Sequence, residues 1–356
     1  MSSYDLIADL PLRIDSLELE GRELSFGEFV RKTTTIHLHG GGETGLGEDV
    51  VYDPEDHDAL QAAGGSIDLA GEYTLDSFSQ RLEEGSLWPQ PPARGDVSRD
   101  YRRWAFESAA LDLALRQAGR SLADVLGREP RPLTYVVSMR LTAPGDGQPE
   151  TAERALHLLE RYPGTGLKLD PTNTWTRALV DELATTGAVN SLDFKGMYKG
   201  TPVDVVTDPA LYEMCIRAFP DAWYEDPDVT DETRPLLEPV AGQVTWDAPI
   251  HSVADVLERP WKPRMVNIKP SRFGPLKNLF EMYDWCESEG VRAYGGGQTE
   301  LGVGRDQIQY LASLFHPDTP NDTAPGGFNN PNLPEGLPMS PLEPRIAPAG
   351  FGWAES

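Results

Sequence analysis

The chain predicts an α/β barrel preceded by an α+β segment, and three observations carry that reading. From about residue 133 to residue 295, short apolar strands alternate with polar loops and helical stretches, the pattern of parallel strands covered by helices. Six or more such repeats within roughly 190 residues favour a closed barrel over an open sheet. Five successive units also carry an ionisable residue at the strand end, at gaps of 25, 32, 22 and 22 residues.

The first third lacks this alternation. Leu12 to Leu24 alternates loosely and Thr33 to Leu38 is rich in β-formers, so both read as strands. Gly40 to Glu48 follows (GGGETGLGE). Its spelling fits the dinucleotide fingerprint, but no amphipathic helix opens at Gly45 and Asp53-Pro54 arrives too soon. It reads instead as a mobile glycine-rich loop between strands. Residues 90–98, rich in Pro and Gly, read as a loop. A helix begins at Tyr101 with Ser98 as its candidate N-cap, and Phe106, Ala109, Ala110, Leu113 and Ala114 share one face. Gly119 ends it. A short second helix runs from Ser121 to Leu126 and stops at Gly127.

Leu133 to Ser138 is a nearly continuous apolar strand. Further strands are expected at Gly166 to Asp170, Ser191 to Asp193, Trp223 to Asp226, Val244 to Asp247, Met265 to Lys269 and Arg292 to Gly295. Helices lie between them, such as Trp175 to Ala184 and the face of Leu276, Leu279, Phe280 and Tyr283. The tail from Asn321 is rich in Pro, Gly and Asn and reads as an ordered loop packed on the surface.

The formal net charge is −26. So acidic a chain repels phosphate backbones and anionic lipid, which argues against nucleic-acid and membrane partners. No apolar run is long enough to span a bilayer. The N-terminus lacks the basic start and apolar stretch of a secretory signal, so a cytoplasmic protein is expected. Two cysteines, Cys215 and Cys286, make no disulfide framework.

The ionisable strand-end residues are Lys168, Asp193, Glu225, Asp247 and Lys269. In a parallel barrel all strand C-termini open on one mouth, where active sites sit. Carboxylates buried there are costly unless paired or metal-bound, and three converging on one spot repel one another. A divalent cation resolves this, and an all-oxygen site suits Mg²⁺. Lysines flanking the ion lose a proton more easily and can act as bases. The combination suits removal of a proton α to a carboxylate, with Mg²⁺ stabilising the enediolate.

These residues resemble the enolase superfamily, in its muconate lactonizing enzyme and o-succinylbenzoate synthase branch. Trp104 to Ala114 (WAFESAALDLA) is similar to the helix leading into that family's barrel, and Tyr224-Glu225-Asp226-Pro227 to its central metal-ligand strand. Asn267 to Gly274 (NIKPSRFG) is similar to the base-bearing strand, and Gly295 to Gly302 (GGGQTELG) to the seventh strand end. The resemblance implies a modified TIM barrel, (β/α)7β, at 131–325, an N-terminal α+β capping domain at 1–130, and a C-terminal segment, 326–356, packing back on the cap. It implies Mg²⁺ on Asp193, Glu225 and Asp247 and acid/base roles for Lys168 and Lys269. Two cap loops, Gly40 to Glu48 and a stretch near Asp68 to Phe78, are expected to close over the mouth and exclude water.

Departures from the family pattern are specific. The second strand reads Gly-Leu-Lys where Lys-x-Lys is usual, and the third reads Asp193-Phe194-Lys195 where Asp-x-Asn is usual. Lys195 can pair with a ligand carboxylate, orient substrate or compete with the metal. The region of Asp322 lacks the Asp-x-Asp of dipeptide epimerases, and Lys269 stands where the mandelate racemase branch has a His–Asp dyad. Gln298 and Glu300 are further substrate-binding candidates near the base. His251 reads as a loop histidine, His37 and His39 alternate on a strand leading into the cap loop, and Asp226 is expected to fix strand geometry. Trp223, Trp246 and Tyr294 read as barrel packing.

The expected function is a Mg²⁺-dependent lyase or isomerase acting on a small carboxylate, o-succinylbenzoate synthase-like or muconate cycloisomerase-like. A racemase or epimerase of the same superfamily, or a barrel that binds metal and carboxylate without turnover, are the alternatives. A homo-oligomer is compatible with a barrel of this size.

Overall fold

The computed structural model describes residues 2–354 apart from 27–28, 65–66, 143–147 and 331. The N-terminal part is built on two antiparallel sheets. Strands β1 (Pro11–Ile14), β2 (Ser16–Phe26), β3 (Phe29–Gly40) and β4 (Glu43–Asp49) come first, after a short helix α1 (Asp5–Ala8). β2, β3 and β4 pair in order as hairpins. β5 (Gly71–Thr74) pairs with β1. Helices α2 (Pro54–Ala63), α3 (Leu75–Glu84), α4 (Asp96–Gln117) and α5 (Leu122–Leu126) complete this part.

The glycine-rich stretch is a strand, not a mobile loop. Only Gly41 and Gly42 form the turn, both with positive φ (60° and 87°), and Glu43–Asp49 runs back along β3. Its glycines serve packing. A Cβ on Gly45 would stand 2.2 Å from the Ala109 carbonyl oxygen, and one on Gly47 2.0 Å from that of Ala105. Two bare strand positions therefore let α4 lie directly on β4, a use of glycine that also occurs inside strands. The stretch near Asp68 to Phe78 is likewise no free loop: Gly71–Thr74 is paired with β1, and Thr74 caps α3 through a reciprocal hydrogen-bond box with Ser77. Neither stretch has the form of the loop expected to close over the mouth.

Helix α4 starts earlier than Tyr101. Gly95, with φ 75°, turns the chain, and Asp96 to Asp100 contains no breaker, so Ser98 lies inside the helix rather than capping it. The apolar face read from the sequence is buried as expected. The next helix follows its signals: the Ser121 side chain caps it, and Gly127 ends it in the left-handed conformation.

Seven parallel strands follow: β6 (Val136–Met139), β7 (Gly166–Leu169), β8 (Val189–Asp193), β9 (Trp223–Glu225), β10 (Val244–Thr245), β11 (Met265–Ile268) and β12 (Arg292–Gly295). They alternate with α6 (Glu153–Arg161), α7 (Arg177–Thr185), α8 (Pro209–Ala218), α9 (Arg234–Leu237), α10 (Val253–Leu257), α11 (Leu276–Glu289) and α12 (Val303–Phe315). β6 to β10 form one parallel sheet and β11–β12 another. The Asn267 amide donating to the Trp246 carbonyl at 3.0 Å joins them. Asn321 and Asp322 close the ring as an eighth strand: Asp322 donates to Gly295 and Val136 donates to Asn321, each at 2.8 Å. The structure is thus a (β/α)7β barrel with a capping α+β part. The tail runs back over both, with Leu342 paired to Leu133, Gly350 to Ser121, and Phe351 edge-on to Trp104 in α4. No helix among the described residues is long and apolar enough to cross a membrane.

Candidate active site

The barrel brings the five strand-end residues to one mouth. Lys168 lies on β7, Asp193 ends β8, Glu225 ends β9, Asp247 follows β10 by two residues, and Lys269 follows β11 directly. Around the ring the three acids stand between the two lysines. Asp193 and Glu225 are fully buried, and Lys269 is 9 % exposed. The Lys168 ammonium contacts Glu225 Oε1 at 2.5 Å, Asp322 Oδ2 at 3.1 Å and Asp193 Oδ2 at 3.6 Å. On the far side, Lys269 Nζ meets Asp247 Oδ2 at 2.9 Å, and Arg272 Nη1 meets Asp247 Oδ1 at 3.0 Å. Tyr198 donates to Asp247 Oδ2 at 3.1 Å, and Tyr294 donates to Glu225 Oε2.

Several partners here carried no sequence signal of their own. Asp170, Asp322, Tyr198 and Arg272 lie in loops after strands or in the eighth strand, where spacing alone does not show what they face. Tyr294, read as packing, spends its hydroxyl on Glu225. Asp226, expected to fix geometry, does so: with φ 47° it turns its carboxylate to accept from the backbone N–H groups of Asp247 and Ala248, each at 2.8 Å. It thereby holds the segment that presents Asp247.

The charges are strongly coupled. Burial pushes the Asp193 carboxyl up, but Lys195 and Lys168 outweigh it and bring its pKa down to about 2. Asp247 is likewise held low against burial, by Arg272 and Lys269. Glu225 goes the other way: burial, with Asp193 and Asp247 beside it, raises it despite Lys168. Burial and the neighbouring carboxylates Asp247 and Asp193 raise Asp226 to about 7. Burial disfavours the Lys168 ammonium, yet Glu225, Asp322 and Asp193 more than offset this and hold its pKa well above the ordinary value.

The site suits a divalent cation. Asp193, Glu225 and Asp226 offer oxygens that all lie within 4.8 Å of one another, whereas Asp247, the expected third ligand, is outside that group and has its carboxylate on Lys269, Arg272 and Tyr198. Six carboxylates (Asp170, Asp193, Glu225, Asp226, Asp247, Asp322) face four cationic groups (Lys168, Lys195, Lys269, Arg272). Arg140 also pairs with Asp170 at 3.9 Å, so the carboxylates still outnumber the cations, and hard oxygen donors suit Mg²⁺. Beside Lys269, the Asn267 side chain is buried with neither amide atom hydrogen-bonded among the described residues. Room for it comes from Gly296, whose Cβ would stand 2.7 Å from both Asn267 Oδ1 and Lys269 Cε.

The other candidates are placed as follows. Lys195, in the left-handed region at φ 55°, sets its ammonium on Asp193 Oδ2 and its backbone N–H on Asp193 Oδ1. Gln298 bridges two tyrosines of the cap, accepting from Tyr52 at 2.9 Å and donating to Tyr101 at 3.0 Å. Glu300 accepts from the Gln298 N–H and pairs with Arg305 at 2.8 Å. His251 fixes its loop through the carbonyls of Arg272 and Ala248. His37 and His39 stack on the β2–β3 hairpin beside Glu20 and Glu18. A cavity of about 510 Å³ opens beside Asp170 and Asp322 and is lined also by Arg140, Arg154 and Arg305.

Comparison with known proteins agrees with this arrangement. Residues 5–125 and 129–330 match the N-terminal and C-terminal domains of a family described as a domain of unknown function (DUF8230). The N-succinylamino acid racemase of Thermus thermophilus is 26% identical over 345 residues, covering 90% of this chain and 84% of that protein. The o-succinylbenzoate synthase of Bacillus subtilis is 26% identical over 231 residues, 63% of this chain and 58% of that protein. The chain thus spans somewhat over half of that synthase. Among solved structures, an enolase superfamily member from Listeria innocua superposes with a TM-score of 0.64 at 18% identity, over 89% of this chain and 86% of that one, a likeness of fold.

Proposed function

We propose, from the chain's membership of the DUF8230 family and its likeness to the muconate lactonizing enzyme and o-succinylbenzoate synthase branch of the enolase superfamily, that it is a Mg²⁺-dependent lyase or isomerase of that branch that removes the α-proton of a small carboxylate. The observation that carries it is the pair of ammonium groups, Lys168 and Lys269, on either flank of three buried acids.

Asp193, Glu225 and Asp247 would hold the ion, with Asp226 fixing the segment that carries Asp247. Mg²⁺ there supplies the positive charge a carboxylate needs to release its α-proton and favours the neutral form of a neighbouring lysine. Each lysine can then take or return a proton at the α-carbon, one from each side. Use of both leads to racemisation. Use of one as base, with the other kept as an ammonium, leads to elimination or cycloisomerisation. Asn267 offers an unpaired amide to a substrate group beside Lys269. Arg140 and Arg154 give the cavity a positive wall in a chain of net charge −26, which suits an anionic substrate. This reading places the enzyme in the cytoplasm, with neither nucleic acid nor membrane as partner.

The second reading, a racemase, draws support from the fuller coverage of the N-succinylamino acid racemase than of the o-succinylbenzoate synthase. The deciding experiment follows α-proton exchange in D₂O for a panel of N-acylamino acids and succinylbenzoate precursors with Mg²⁺. Exchange with inversion of a chiral substrate supports the racemase. Dehydration without inversion supports the lyase. Full exchange in the presence of a chelator, or no exchange across the panel, overturns the proposal.

A further inference from the structure

The third strand ends in Asp193-Phe194-Lys195, and the structure shows what the lysine does. Lys195 grips both oxygens of Asp193, through Nζ on Oδ2 and its own N–H on Oδ1. Its backbone is held at φ 55° to do so, the left-handed conformation that a residue with a side chain rarely adopts. The side chain is only 15 % exposed, so the ammonium is committed to the acid set rather than to water. Lys195 Nζ also stands 3.6 Å from Asp170 Oδ1. That oxygen is buried and accepts no hydrogen bond among the described residues. A second seat for the same ammonium therefore lies within a short swing of the first, already in ion-pair range but not hydrogen-bonded, with Arg140 3.9 Å from the other oxygen of that carboxylate.

Asp193 Oδ2 is the contested atom. Lys195 occupies it, Lys168 Nζ is 3.6 Å from it, and a divalent ion drawn to Asp193 and Glu225 needs an oxygen of the same carboxylate. Two cations do not share that oxygen without strong repulsion. Resting on the Mg²⁺ reading above, we propose that Lys195 is a resident counter-cation of the acid set, seated on Asp193 while no divalent ion is present and moving onto Asp170 when one binds. Ion affinity then contains the free energy of that exchange. Lys195 lowers it by competing for Asp193, and Asp170 restores part of it by receiving the displaced ammonium. Lys195 is a positioning residue in this scheme, and the Lys195–Asp170 pair sets how much free Mg²⁺ the enzyme needs.

The test is calorimetric titration of Mg²⁺ into the full chain without substrate, with Mn²⁺ followed by electron paramagnetic resonance as a second ion. Lys195→Gln removes the competitor and tightens Mg²⁺ binding by roughly tenfold or more. Lys195→Arg keeps the charge and stays near the wild-type affinity. Asp170→Asn removes the second seat and weakens binding about tenfold in the wild-type background, but changes it little in Lys195→Gln. Unchanged or weaker binding in Lys195→Gln overturns the proposal. So does an equal loss from Asp170→Asn in both backgrounds, which would mean that Asp170 acts on the ion directly. Should Lys195→Gln not fold, the contrast between Lys195→Arg and Asp170→Asn still decides, because wild-type affinity in Asp170→Asn contradicts the exchange. Absence of Mg²⁺ binding in every variant, wild type included, refutes the ion itself and hence the function proposed above.

Discussion

The chain has seven lysines, and three of them, Lys168, Lys195 and Lys269, stand at the barrel mouth. Most of its positive charge elsewhere is arginine. The distinction is chemical: a lysine amine can lose its proton under a neighbouring cation, whereas an arginine cannot do so at any ordinary pH. Removing the amine should therefore separate chemistry from fold. Lys269→Ala is expected to lower α-proton exchange by about 10³-fold while the protein still folds by circular dichroism, since Arg272 continues to pair with Asp247. An unchanged exchange rate in that variant would remove Lys269 from the mechanism. Asp193→Ala and Glu225→Ala are expected to abolish activity at physiological Mg²⁺, and full activity in either would rule out the metal set. The sequence indicated these five residues because each is a charge at the end of an apolar strand. It did not indicate Asp170, Asp322, Tyr198 or Arg272, which reach the same place from loops and the eighth strand.

Elements depend on contacts that composition disguises. Gly45 and Gly47 looked like a loop because glycine is the commonest loop signal, yet here the missing Cβ atoms admit α4 against β4. Gly47→Ala should cost about 2 kcal/mol or more, read as a lower urea midpoint. A midpoint equal to wild type would mean that the helix can shift away. The same interface holds a fully buried ion pair, Arg102 Nε to Asp49 Oδ2 at 2.8 Å, so the sheet and helix are matched in charge as well as shape. At the other end of the chain, the eighth strand is pinned by Asn321, whose Oδ1 accepts from Gly295 N at 2.6 Å and lies 2.7 Å from His316 Nδ1. Burial lowers the His316 pKa from 6.5 to about 4. The unfolded chain therefore binds more protons between these values, so stability is full above pH 6.5 and falls as pH drops toward 4, by roughly 3 kcal/mol from this group. Urea midpoints across that range should show the slope in the wild type and its loss in His316→Gln. A parallel slope in the variant would assign it to other groups.

At the scale of the molecule, the cap and barrel are joined by buried polar contacts. Arg31, fully buried on β3, donates to the carbonyls of Val50 and Val51 in the cap and of Gln298 and Thr299 past β12. Glu48 on β4 accepts from the N–H groups of Leu301, Gly302 and Gly304 as α12 begins. Gln298, expected to face substrate, and Glu48, expected in a mobile loop, both belong to this seam. Around it the surface carries most of a net charge of −26. Like charges so numerous repel across the fold, and the screening length falls from about 10 Å at 0.1 M salt to about 3 Å at 1 M. The melting temperature should rise with KCl over that range, and a flat or falling curve would show that self-repulsion is not a destabilising force here.

The barrel, the α+β part before it and the order base–acid–acid–acid–base around the mouth were legible from the residues alone, because period and strand-end charge are local properties of the chain. It took the folded chain to reveal that the glycine-rich stretch is a packed strand, that Asn321 and Asp322 complete the ring, and that Lys195 lies between Asp193 and Asp170. Each of those outcomes depends on which distant backbone or carboxylate a residue meets, and neither composition nor periodicity encodes distance across a fold.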